Sequence, residues 1–374
     1  MKPFRLVSFS DCHLGVNRIS AEQMCASLRA LLFPLMEQAD IVVLSGDLFD
    51  SAISLTDKPA MVIIAFLIEF LSLCDRKKII LRIMRGTFSH DRTQLSLLTT
   101  LHQNYHFTHD LKYFDKITLD YIEAFDARIL FIPDDQPHGS SDHVIETVSD
   151  MMDDVRWDYV DMAFLHGYFE HVLPENALIH PKIVFRQSQF PFVKTFICVG
   201  HVHQHTIHKN VFYNGSTDRI AHGEEDPKGC LFITYTGKHY KVRFIENKHA
   251  AIFKTIDYSQ KDPDTLIATL DQDLSLYPLG SYPHVRILHP SSDVRKALQS
   301  YVKEHYPSIR CQFTHRVSHD TESAPEVLSD EIVIMAPPTP ETLPDTILEC
   351  LTLYDTKSSL TRDRILTLLQ KARK

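Results

Sequence analysis

Three observations in this 374-residue sequence predict a layered α/β fold. Six short apolar runs, residues 6–9, 41–44, 79–83, 129–132, 162–165 and 196–199, have the length and the β-branched or aromatic content of buried strands. Amphipathic stretches separate them, and strand, helix, strand in repetition builds a sheet with helices layered on it. Third, the Asp and His residues with the most chemical potential fall just after these runs, where α/β folds gather their ligands beyond the carboxyl ends of the strands.

The elements follow in order. After the first run, Ser20 and Gln23 form a capping-box pattern, and Met24, Leu28, Leu31, Leu32 and Leu35 recur at helical spacing, with Pro34 expected to kink the helix near its end. Pro59, following Thr56 and Asp57, belongs in the first turn of the next helix. The apolar run 60–74 carries Glu69 and is shorter than the roughly 20 residues that span a membrane, so it reads as a buried helix. From residue 250 the pattern changes to strand (251–258), helix (263–276), strand (284–288), helix (293–305) and strand (309–317), a small α/β unit. Four prolines between 337 and 344 suggest a hinge. Two short helices, 345–353 and 362–372, follow; Thr361 is placed as N-cap, with Leu360 and Ile365 as a hydrophobic staple. Helices of that length need a surface to dock on. The organisation expected is therefore a large domain over 1–249, a second over 250–336, and a linker with helical segment over 337–374.

Composition narrows the function. A formal net charge of −9 argues against coating nucleic acid through a broad basic surface, so any such contact must be local or shared with a partner. The seven cysteines stand at unrelated positions with no C-x-x-C pair, which fits reduced thiols of a cytosol. The first nine residues lack the apolar core of a signal peptide, so a cytoplasmic protein with no membrane span is expected.

The chemistry lies in five motifs. Asp11 and His13, Asp47 after Gly46, His166 in Leu-His-Gly, and His201 and His203 in Gly-His-Val-His offer the hard oxygens and imidazole nitrogens that divalent metals take when they activate water. Asp11, His13 and His203 are expected to hold a first metal, His166 and His201 a second, with Asp47 bridging the two. Two ions roughly 3.5–4 Å apart can neutralise a phosphoryl group during in-line displacement. His90 is expected to supply the leaving oxygen with a proton, oriented by its neighbour Asp91.

The motifs DCHLG, GDLFD, GTFSHD (a degenerate GNHD), LHG and GHVH resemble those of the calcineurin-like metallophosphoesterases, over residues 1 to about 242. The continuation YNGSTDRI, then Gly223-Glu224-Glu225 and Lys228-Gly229, is similar more narrowly to the SbcD-type nuclease subunits of bacteria and phages. The resemblance implies a four-layer β-sandwich flanked by helices, an α+β arrangement with a small α/β capping domain that recognises DNA. It implies a nuclease acting on DNA ends with two Mn2+, Mg2+ being possible, and a homodimer within a heterotetramer. In that family the C-terminal helices dock on an SMC-like ATPase of the SbcC type. Carried over by position, Asp11, His13, Asp47, His166, His201 and His203 are metal ligands and His90 the catalytic histidine.

Two departures stand out. Ser89 occupies the place of the family's asparagine ligand, with Thr87 upstream as the alternative hydroxyl. Asp50 stands where some relatives have a histidine that helps exonuclease action, and a helix-capping or solvated carboxylate is an equal expectation for it. Arg18, Arg85, Arg92 and Arg219 are candidate phosphate contacts. A phosphodiesterase or phosphatase on a non-DNA substrate would share the same metal ligands.

Overall fold

The structure, a computed structural model, describes residues 1–54, 56–134, 139–173, 183–258, 265–276, 283–288, 292–307 and 309–314. The expected hinge and the two terminal helices lie outside these residues, as does the end of the expected second domain.

The chain opens with β1 (Phe4–Phe9), α1 (Ala21–Met36), β2 (Ile41–Ser45), α2 (Lys58–Lys77) and β3 (Ile80–Met84). A single turn, α3 (Phe88–Asp91), precedes α4 (Ser96–Asn104), β4 (Leu111–Phe114), β5 (Thr118–Ile122), β6 (Ala127–Ile132) and α5 (Ser141–Asp154). Then come β7 (Val160–His166), the two-residue strands β8 (Tyr168–Phe169) and β9 (Val184–Phe185), and β10 (Val193–Gly200). This part of the chain closes with β11 (Thr206–His208), β12 (Val211–Tyr213), β13 (Gly229–Tyr235) and β14 (Tyr240–Glu246).

Two six-stranded sheets result, ordered β14-β13-β1-β2-β3-β4 and β11-β12-β10-β7-β6-β5. Side-chain alternation along each strand sorts the core into layers. From β1 and β2, Leu6, Ile41 and Val43 face Ile129, Phe131, Met162, Phe164 and Phe196 of the other sheet. Their neighbours Val7, Phe9, Val42 and Leu44 face outward onto α1, α2 and α4. On the far side Leu130, Ala163, Leu165 and Ile197 pack against Val144 and Val148 of α5. Helices, sheet, sheet and helix make the four layers, and burial on both faces explains why the strands read as continuous apolar runs.

Local signals act as expected at the helix starts. Ser20 Oγ accepts from the Gln23 amide at 3.2 Å, and Pro59 sits in the first turn of α2 behind the N-cap Asp57. The apolar run 60–74 is the buried stripe of α2, and among the described residues no helix is long and apolar enough to cross a membrane. Cys12, Cys25, Cys74, Cys198 and Cys230 are buried free thiols.

The unit after residue 250 has its own core. Strands β15 (Phe253–Asp257), β16 (His284–Leu288) and β17 (Arg310–Thr314) form a parallel sheet in that order, joined through α6 (Leu266–Leu274) and α7 (Ser292–His305). Val285 and Ile287 pack on Leu266, Leu270, Leu274 and Leu298, a cluster separate from the three above.

Candidate metal centre

Strands β1, β2 and β3 run parallel in one sheet and β7 and β10 run parallel in the other, so their carboxyl ends supply a common set of loops. The two sheets touch there through very short contacts. A methyl group on Gly200 would lie 2.4 Å from the Ser45 carbonyl oxygen, and one on Gly46, whose φ is +92°, 2.4 Å from His166 Nδ1. Only glycine lets the strand ends approach so closely. Four non-glycine residues here hold left-handed backbone: Asp11 (φ 52°), His13 (φ 48°), Asp47 (φ 53°) and His201 (φ 89°). Such conformations cost on the order of 1–3 kcal/mol each and cluster where function over-determines the backbone.

The side chains converge as the motifs imply. Asp11, His13 and His203 place one ligand atom each within 4.8 Å of one another, as do Asp47, His166 and His201. His13 Nε2 and His203 Nε2 are 3.0 Å apart. In the other group His166 Nε2 lies 3.2 Å from Asp47 Oδ2 and 3.2 Å from His201 Nδ1. The His201 amide donates to both oxygens of Asp11 at 3.0 Å, tying the two groups together.

Groups behind the site fix which ring nitrogens carry protons. A carbonyl oxygen only accepts, so His166 Nδ1 must donate to Ser45 O at 2.7 Å, leaving its Nε2 lone pair toward Asp47. His203 Nδ1 donates to Glu224 Oε1 at 2.8 Å, which leaves the Nε2 lone pair toward His13. Asp11 is oriented by a relay: Ser8 Oγ donates to Asn214, Asn214 Nδ2 donates to Ser10 Oγ, and Ser10 Oγ donates to the Asp11 carboxylate. Lone pairs and carboxylates aimed at one another in a buried site repel unless a cation or proton lies among them. This donor set fits a metal ion.

Without a cation, a proton takes its place on His166 Nε2. Burial opposes charge on His166, but Asp47 overrides it and carries the imidazole up to about 10, while Asp47, despite burial, is held well below the carboxylate range by His166. Burial and then the His166 charge push His201 down to about 3. A proton on His166 satisfies one contact; a cation would satisfy the whole set.

Several expectations need correction. Asp91 does not orient His90. It is fully buried, and its carboxylate accepts from the amides of Asp47 (2.9 Å), Leu48 (3.0 Å), Phe49 (3.2 Å) and Gly86 (2.8 Å), shaping the loop that presents Asp47. Burial, then Asp47, pushes its carboxyl up to about 6. His90 is held instead by the main chain, its Nδ1 lying 2.5 Å from Asp50 O. Ser89 is exposed, and the hydroxyl within the Asp47 group is that of Thr87, 3.2 Å from Asp47 Oδ2, 3.2 Å from His201 Nδ1 and 3.4 Å from His166 Nε2. From sequence, Glu224 stands out only as part of the Gly223-Glu224-Glu225 stretch, and nothing local marks it as the partner of His203.

Among the candidate phosphate contacts, Arg219 spends its donors on Ala251 O and Asp226 O, at 3.2 and 3.0 Å, and is structural. Arg85 lies 5.8 Å from the Phe88 ring centroid, and Arg18 and Arg92 are exposed.

No protein-family model and no curated protein matches the sequence. Among solved structures, TT1561 of Thermus thermophilus is 11% identical, over 65% of this chain and 99% of that one, with a TM-score of 0.35. GAP50, the anchor in the inner membrane complex of Plasmodium, is 12% identical, over 66% of this chain and 86% of that one, with a TM-score of 0.38. Likenesses this slight say nothing about activity; what the chain itself carries is an α+β fold with buried His and Asp groups able to bind a metal ion.

Proposed function

We propose that this chain is a manganese-dependent phosphodiesterase of the calcineurin-like, SbcD-type kind, cleaving DNA from its ends. The observation that carries the proposal is the pair of ligand groups whose imidazole tautomers are set from behind, His166 by Ser45 and His203 by Glu224, so that their second ring nitrogens face Asp47 and His13. Asp11, His13 and His203 would hold one ion and Asp47, His166 and His201 another, with the Thr87 hydroxyl in place of the family's asparagine. Bound there, two such ions would supply an activated water and neutralise charge on the phosphoryl group. His90, its Nδ1 occupied by Asp50 O, keeps Nε2 for a proton destined for the leaving oxygen.

Two features support a nucleic-acid substrate. Positive charge gathers locally despite the acidic total. Arg310 Nη1 donates to Arg18 O at 2.8 Å, strand register sets Arg310 beside His284, and burial, then Arg310 and Arg18, pushes His284 down to about 4. Phe88, 51% exposed, sits between Thr87 and His90, where a base could stack on it. End-labelled duplex DNA with Mn2+, with and without an SMC-like ATPase, tests the proposal. Shortening by the wild type and none by His90→Ala is expected; hydrolysis of a simple diester with DNA untouched under every condition would overturn the DNA part. The proposal also gives residues 337–374 the task of docking on that ATPase. Deleting residues 345–374 is expected to abolish ATPase binding in pull-down while sparing simple-diester hydrolysis.

A further inference from the structure

The residue at the family's variable position makes two contacts that link the metal groups to His90. Asp50 follows the β2 loop, which runs beside the β1 loop in continued pairing: Asp11 N donates to Gly46 O at 3.0 Å, Leu14 N to Leu48 O at 2.8 Å, and Asp50 N to Leu14 O at 3.1 Å. This pairing fixes the Asp50 main chain and excludes a helix-capping role, since α2 begins at Lys58 behind its own N-cap, Asp57. Asp50 O accepts from His90 Nδ1. On its other side the Asp50 carboxylate lies 3.5 Å from His13 Nδ1, a buried ring nitrogen with no hydrogen-bond partner, and His13, Asp50 and His90 keep ligand atoms within 4.8 Å of one another.

We infer that Asp50 is a positioning residue: its carboxylate backs His13 as a metal ligand while its main-chain carbonyl holds His90. The inference rests on the metal assignment proposed above. With His13 donating through Nε2, its Nδ1–H has the Asp50 carboxylate within reach, and a carboxylate behind a ligating imidazole fixes the orientation of the ring. The two histidines of the Asp11 group are then matched, His203 backed by Glu224 and His13 by Asp50. A histidine at position 50 could not give the same support, so the substitution trades a second ring for a tighter metal ligand.

The test is Mn2+ titration calorimetry on the full chain and on Asp50→Asn and Asp50→His, with bis(p-nitrophenyl) phosphate hydrolysis followed against Mn2+ concentration. Expected for Asp50→Asn is a loss of about 10- to 100-fold in affinity at one site. The Mn2+ needed for half-maximal rate should rise by a similar factor, more than the saturated rate falls, because every variant keeps the carbonyl that holds His90. Unchanged affinity in an Asp50→Asn protein with wild-type melting temperature overturns the inference. So does a collapse of the saturated rate at unchanged affinity, which would make the carboxylate part of the chemistry. A wild-type chain that takes up no Mn2+ would instead refute the metal assignment, and this inference with it.

Discussion

Two histidine-rich clusters in this chain look alike by composition and differ in everything that matters. Around His109, buried beneath α4, the His102 and His109 rings meet edge to face at 4.5 Å, with Asp75 nearby. Asp75, however, is already spent. It accepts from Thr108 N and Oγ1, His109 N and Lys78 Nζ, at 2.7, 3.0, 3.0 and 3.3 Å. His102 Nε2 bonds the His109 carbonyl, and burial pushes His109 down to about 4, a neutral core ring. Around Asp47 the opposite holds: Ser45 O fixes His166 from behind, its free Nε2 faces the Asp47 carboxylate, and His201 Nδ1 lies beside it. Histidine density is therefore a poor marker of a metal site. Convergence of lone pairs whose protons are committed elsewhere is the better one.

The sharpest way to break this contrast is to neutralise one residue on each side. Asp47→Asn keeps the volume but removes the central charge, and is expected to lower Mn2+-dependent hydrolysis about 10³-fold or more, since metal stabilisation is worth several kcal/mol and each 1.36 kcal/mol is tenfold in rate. His109→Phe should leave the rate within about threefold, as core changes distant from the chemistry act on stability. Comparable losses in both would dissolve the distinction. Next in size comes the close approach of the sheets. Gly200→Ala puts a methyl 2.4 Å from Ser45 O and 2.7 Å from His166 Nδ1. Overpacking of that kind costs about 3 kcal/mol, so denaturant unfolding should show the loss, together with weaker metal binding as His166 is displaced. A variant of wild-type stability would mean that the strand ends can part freely.

How much of this was legible in the sequence depends on whether a side chain or a backbone does the work. The six buried strands were readable because both faces of each sheet are covered, which leaves uninterrupted apolar runs such as Ile41-Val42-Val43-Leu44. Strands β5 and β14, half exposed and mixed in character, gave no such run. In the candidate site, the gathering of Asp11, His13, Asp47, His166, His201 and His203 was legible because metal ligation takes those side chain types. The Ser45 and Asp50 carbonyls that set tautomers have no sequence signature, and Glu224 is brought to His203 only by the fold. The role expected of Asp91 fails for a geometric reason. On a helical turn successive side chains diverge by about 100°, so His90 and its neighbour cannot both face the same centre, and adjacency in sequence put Asp91 into the loop behind Asp47.

The same geometry decides the last and smallest effect, the hydroxyl at the Asp47 group. Thr87 precedes α3, and its side chain lies against Asp47, His166 and His201, whereas Ser89, two residues on, points to solvent. Its amide also donates to Asp47 Oδ1 at 2.7 Å, so the Thr87 main chain holds the carboxylate whatever side chain it carries. Thr87→Val conserves shape and that amide while deleting only the oxygen, and a neutral hydroxyl is worth about one hydrogen bond, 0.5–1.5 kcal/mol. Calorimetry should therefore show one of the two proposed Mn2+ sites weakened roughly tenfold at most, with the other intact and Ser89→Ala indistinguishable from wild type. If Ser89→Ala weakens a site and Thr87→Val does not, the turn before His90 is wound differently from the one described, and the backbone account of Asp91 falls with it.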